Sequence, residues 1–174
     1  EITGVPGPRV VSASTEITDL NQQTIAGKWH RTLHSSRFYL GVQRADNAMR
    51  VGEDMVLNVA AVQPDGTRMP GQVPAAVTVE HLTWNAVRVQ AAGGGTDVKN
   101  DLVFAKVSED ALTVTSEPGR ETAWHFKPLA AGTHYLTFSA KDADGAEVRT
   151  IVSVDVFGAD GLTWAQEDPV KIEL

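Results

Sequence analysis

The chain has 174 residues, 42% of them hydrophobic, and a formal net charge of −7. This suits one core-forming domain, or one domain with part of a neighbour, and excludes a disordered tail. No cluster of Lys and Arg exceeds two adjacent residues, which excludes a nucleic-acid footprint, and the absence of cysteine excludes disulfides, thiol nucleophiles, cysteine-ligated metals and an internal thioester within this chain.

The first residues to show a pattern are Val10–Ile17 and Ile25–Leu33, which alternate in polarity around a turn at Asp19-Leu20-Asn21-Gln22. They predict a hairpin, and a lone hairpin is marginal in water. Residues 1–36 are therefore expected to be the last strands of a preceding module, or an edge lent to the following one.

A second unit, residues 37–158, begins near Phe38. Its predicted strands are Phe38–Gln43, Met55–Gln63, Ala76–Leu82 with an extension through Val89, Leu102–Val107, Leu112–Ser116, Thr122–Phe126, His134–Ala140 and Val148–Phe157. Tight turns are expected at Asp65-Gly66 and Asp144-Gly145, where glycine supplies a positive φ. No segment carries a convincing 3.6-residue period with caps. Seven or eight short strands with turn signals between them predict an all-β, antiparallel sandwich of the immunoglobulin or fibronectin-III type. The glycine-rich Ala92–Thr96 is a loop tip, lacking the Gly-Lys-Ser/Thr ending of a phosphate-binding loop.

Residues 159–174 read as a linker containing Trp164, then an alternating Val170–Leu174 that resembles the first strand of a further module. Strand-like sequence at the start and an unfinished pattern at the end suggest a piece cut from a longer protein. No apolar run approaches the roughly 20 residues of a membrane helix, so no direct membrane insertion by this piece is expected, and no signal-peptide pattern is present.

Polar constellations offer little chemistry. His30 and His34 have a spacing that suits zinc on a helix, but on a strand four residues span roughly 13 Å, too far for one ion. His81, His125 and His134 lie on or beside separate strands and are expected on polar faces. Asp142, Asp144 and Glu147 surround Gly145, yet the twelfth position of a calcium loop would fall at Ser153, inside a strand, so a hairpin turn is expected instead. Glu109-Asp110 and Glu167-Asp168 are expected in solvated turns. No Gly-x-Ser-x-Gly occurs. Catalytic, cofactor-binding and metal-ligating residues are accordingly expected to be none. Of the four tryptophans, Trp124 alternates with Phe126 and reads as core, while Trp84 and Trp164 read as exposed or interdomain.

The order of several segments carries a resemblance. Thr18-Asp19-Leu20-Asn21-Gln22-Gln23-Thr24 precedes Leu33-His34-Ser35-Ser36 and Phe38-Tyr39-Leu40-Gly41-Val42. Val51-Gly52-Glu53 and Leu82-Thr83-Trp84-Asn85-Ala86-Val87 follow, then Gly132-Thr133-His134-Tyr135-Leu136, Phe157-Gly158, Trp164 and Ile172-Glu173-Leu174. In this order they resemble the macroglobulin-like domains of bacterial alpha-2-macroglobulins. The resemblance implies a large periplasmic or cell-envelope protein, often lipid-anchored, that traps proteases when a bait segment is cut. It implies that this chain is a non-catalytic structural module whose partners are neighbouring domains and, in the full-length protein, trapped proteases. Two other readings share the fold: an immunoglobulin-like module of a surface adhesin, and a carbohydrate-binding module, which requires exposed coplanar aromatics.

Overall fold

A computed structural model describes residues 7–158 apart from 91–95, 116, 118 and 120. Ten strands run in chain order: β1 (Arg9–Thr18), β2 (Thr24–Leu33), β3 (Tyr39–Arg44), β4 (Ala48–Arg50), β5 (Met55–Val62), β6 (Gln72–Gln90), β7 (Thr96–Thr115), β8 (Thr122–Phe126), β9 (Gly132–Lys141) and β10 (Glu147–Phe157). Strands β3 to β10 form a sandwich of a five-stranded sheet, ordered β4-β10-β9-β6-β7, and a three-stranded sheet, ordered β3-β5-β8.

Alternation decides what is buried. On β9, His134, Leu136, Phe138 and Ala140 share one face and all are buried. On β5, Met55, Leu57, Val59 and Ala61 do the same from the facing sheet. These rows, with Val73, Val77 and Val79 of β6 and Val154 and Val156 of β10, make one core. Period-2 patterning thus places both sheets without helix.

The two predicted turns form as expected. Gly66 has φ 85° and Gly145 has φ 82°, a region costly for any residue with a Cβ. The first predicted hairpin also forms, with Arg9 opposite Leu33 and Thr18 opposite Thr24. Its two strands make a sheet of their own, so they do not lend an edge to the sandwich.

Three expectations are corrected. Leu102–Val107 and Leu112–Ser116 are not separate strands but parts of β7, which runs from Thr96 to Thr115. Glu109 and Asp110 therefore lie within a strand, opposite Thr78 and Val77, not in a turn. The interruption in polarity between them is absorbed by a bulge at Val107, where the β6 register shifts between Val79 and Glu80. The third correction is β4: three residues too short to show a period pair parallel to β10, Met49 opposite Val156. The sandwich is thus antiparallel except at this edge. Of the expected loop tip Ala92–Thr96, Thr96 opens β7 and the rest lies outside the described residues, as do the linker with Trp164, the Glu167-Asp168 turn and the strand at 170–174.

Candidate functional site

Three features of the surface carry information: the β1–β2 ribbon, an arm formed by β6 and β7, and a cavity at the base of that arm.

The ribbon is amphipathic. In its register Val11, Ala13, Ile17, Ile25, Trp29 and Leu33 share one face with Arg9, Thr15 and Arg31, and Ser12, Ser14, Glu16, Lys28, His30 and Thr32 share the other with Val10 and Ala26. Both strands are exposed throughout, and Ile25 is 76% exposed. Exposed Ile17, Ile25 and Trp29 on one face, although Arg9 and Arg31 flank them, leave apolar surface in water that a neighbour could cover. Its edges are also unpaired.

The arm is the distal half of the β6–β7 hairpin. Strand β6 pairs with β9 only from Ala75 to His81, whereas it pairs with β7 to Gln90. Beyond His81 the two strands continue as a two-stranded ribbon. Leu82 lies opposite Phe104 and Trp84 opposite Leu102, all on the face away from the core. Trp84, Leu102 and Phe104 are each about half exposed, and Phe104 meets the Tyr135 ring edge-on at 5.4 Å.

At the root of the arm, His81 and His134 face each other in register and stack, with ring centroids 4.5 Å apart and planes 18° apart. His81 Nε2 donates to the Ala131 carbonyl at 3.0 Å and His134 Nδ1 to the Gly132 carbonyl at 3.2 Å. His134 also meets Phe126 at 5.5 Å. The pair lines a cavity of about 460 Å³ with Val79, Val107, Phe126 and Leu129. Burial, and then the nearby His81, push the His134 imidazole below its ordinary value of 6.5, against a smaller opposing effect of the bond to Gly132.

This corrects the expectation that His81 and His134 occupy polar faces. His134 is 2% exposed because it shares the parity of Leu136, Phe138 and Ala140. That parity is visible in the sequence; reading histidine as polar concealed it. His125 is exposed and donates to Asp54 at 2.8 Å. His30 lies on β2, while His34, beyond that strand, bonds Tyr39 at 3.0 Å. Among the described residues no three or more His, Asp or Glu side chains gather in a way that could hold a metal ion.

The acidic turn at Asp142–Glu147 is spent on structure. Asp142 accepts from the Asp144 and Ala146 amides at 3.0 and 2.8 Å. Trp124 is partly buried against the core, edge-on to Phe138 at 5.7 Å, as its alternation implied. Trp84 is exposed, as its position implied; Trp29, on the ribbon, is the other exposed tryptophan among the described residues. These two sit on different ribbons.

No protein-family model matches the chain, and no curated protein matches it in sequence. In shape it is similar to Salmonella alpha-2-macroglobulin reacted with methylamine, with a TM-score of 0.58 and 8% identity over 85% of this chain. It is similar also to the native conformation of E. coli alpha-2-macroglobulin, with a TM-score of 0.58 and 11% identity over 92% of this chain. The matched region is 10% of each of those chains. At these identities the likeness is one of fold: a macroglobulin-like sandwich.

Proposed function

We propose that the chain is a non-catalytic structural module of a bacterial alpha-2-macroglobulin-like protein that traps proteases in the periplasm or cell envelope. The observation that supports this reading is the exposed β1–β2 ribbon, with Ile17, Ile25 and Trp29 on one face, beside a macroglobulin-like sandwich. A hairpin with Ile17, Ile25 and Trp29 in water gains stability only when another sheet covers it. A neighbouring domain of the same polypeptide provides that cover at high effective concentration. The ribbon then belongs to the core of the preceding domain, residues 37–158 form a complete domain, and residues 159–174 lead to the next. In this role shape and interdomain contact matter, and no side chain performs chemistry. The module itself makes no nucleic-acid contact and inserts in no membrane.

The test is made on the full-length protein that carries this module. A broad-specificity protease is added in substoichiometric amount, and the radius of gyration is followed by small-angle scattering. The reading expects compaction, with the protease losing activity on large substrates while keeping it on small ones. Cleavage without compaction, with full protease activity on protein substrates, overturns it.

A further inference from the structure

The β6–β7 arm joins the sandwich where β6 stops pairing with β9, and the last pair before the fork is His81 and His134. The fork is tightly built. Gly132 has φ 121°, and a Cβ there would stand 2.6 Å from His81 Nε2. The two rings donate to successive carbonyls, Ala131 and Gly132, of the segment entering β9. On the other side of β6, the bulge at Val107 interrupts the β7 register. The stack therefore clamps a strand that has a natural bending point beside it.

Protonation acts directly on this clamp. Each ring already uses one N–H on a carbonyl, so an added proton goes to the other nitrogen. Stacked neutral imidazoles tolerate a 4.5 Å separation, whereas a cation there loses hydration, and two cations repel. Among the described residues lining the cavity one carboxylate, Asp110, can offset part of that charge. The ionisable groups lining the cavity with the pair are Asp110 on β7, His125 at the end of β8 and Lys127 just after it. His125 is engaged by Asp54, and Lys127 is itself a cation. Of the others near the fork, Asp155 on β10 accepts from the Thr133 hydroxyl at 2.9 Å. Glu80 pairs with Tyr135 and Lys106 on the opposite face of the sheet.

We propose that the His81–His134 stack is an acid-operated latch, holding the base of the β6–β7 arm against β9 when neutral and releasing the arm to reorient about the Val107 bulge when protonated. The arm carries Leu82, Trp84, Leu102 and Phe104 on its outer face, so release changes the apolar surface offered to a neighbour. The latch is independent of the protease-trap reading, since it needs only the geometry of this chain.

The absence of cysteine allows two spin labels without background, at Leu102→Cys on the arm and Ile151→Cys on β10, both exposed positions. Double electron–electron resonance on the whole chain at about pH 8 and at a pH below the His134 titration read by NMR covers both states of the pair. The expected result is a narrow distance distribution at the higher pH that shifts or broadens by about one strand spacing, ~5 Å, at the lower. The midpoint should coincide with the titration of the His134 ring followed by NMR in the unsubstituted chain. His81→Phe keeps a ring in the stack without its proton site and should hold the arm at both pH values. His125→Asn should leave the response intact. A distribution unchanged in the labelled chain with native histidines, or a midpoint unrelated to His134, overturns the latch. So does a full response in His81→Phe, or its loss in His125→Asn, which would assign the effect to the Asp54–His125 pair.

Discussion

The Asp142 carboxylate accepts the amide hydrogen of Arg37 at 3.1 Å, across 105 residues of sequence. The same side chain holds its own turn through the Asp144 and Ala146 amides. The Arg37 guanidinium then closes on Asp144 at 2.6 and 2.9 Å. The β9–β10 turn thereby fastens the segment that leads from the ribbon into the sandwich. Of three acidic residues that suggest an ion loop in one dimension, Asp142 and Asp144 act as a strap in three, and Glu147 pairs with Arg149 instead.

Asp142→Ala should destabilise the sandwich by about 1 kcal/mol, because the amides of Arg37, Asp144 and Ala146 lose a shared, part-buried acceptor. Arg37→Ala should cost less, since its ion pair with Asp144 is exposed and screened. Urea denaturation of both variants measures the difference. Equal losses would show that the exposed guanidinium contributes as much to the strap as the Asp142 carboxylate.

Acid should weaken the same strap. Burial raises the Asp142 carboxyl, but hydrogen bonds from the amides of Arg37, Ala146 and Asp144, with the Arg37 charge, outweigh it and hold the group below its ordinary value of 3.8. A carboxylate depressed in the folded state contributes stability above that ordinary value and loses it as pH falls toward the folded value. As pH falls below about 4 the unsubstituted chain should therefore lose more stability than Asp142→Asn.

His134 has its own window. Its folded value is lowered, so the unfolded chain binds the extra proton first. Stability should be full above about pH 7 and decline as pH falls through 6.5, until the folded imidazole also titrates. Chemical denaturation at a series of pH values reads this slope, and His134→Phe should flatten it. A slope preserved in that variant would place the titrating group elsewhere.

Phe138→Ala should cost about 3–5 kcal/mol, the range for deleting a fully buried aromatic ring. The residue is 0% exposed and supports Trp124 from the opposite sheet. Tryptophan emission should shift to the red together with the loss of stability.

The ribbon should behave in the opposite way. Ile17→Lys with Ile25→Lys alters side chains 65% and 76% exposed, so unfolding of the sandwich should change by no more than about 0.5 kcal/mol. The same variant should reduce self-association at high concentration, measured by sedimentation velocity, because it interrupts an apolar face with open edges. A large loss of stability would mean that the ribbon packs on the sandwich in solution.

Local pattern determined much of this protein. Alternation in His134–Ala140 and Met55–Val62, with Gly66 and Gly145 at their turns, is enough to specify an all-β sandwich, since a period of two sends every second side chain to one face. The hairpin from Val10 to Leu33 is equally legible, because its turn and both strands are contiguous. Tertiary structure alone decided the rest. A bulge at Val107 joins two apparent strands into one, β7, which no local period encodes, because the partner strand β6 supplies the continuous ladder. Three residues of β4 become a strand only because β10 lies alongside. His81 and His134 meet because strands 53 positions apart in number are adjacent in register, and stacking depends on that adjacency, not on either residue's neighbours in sequence.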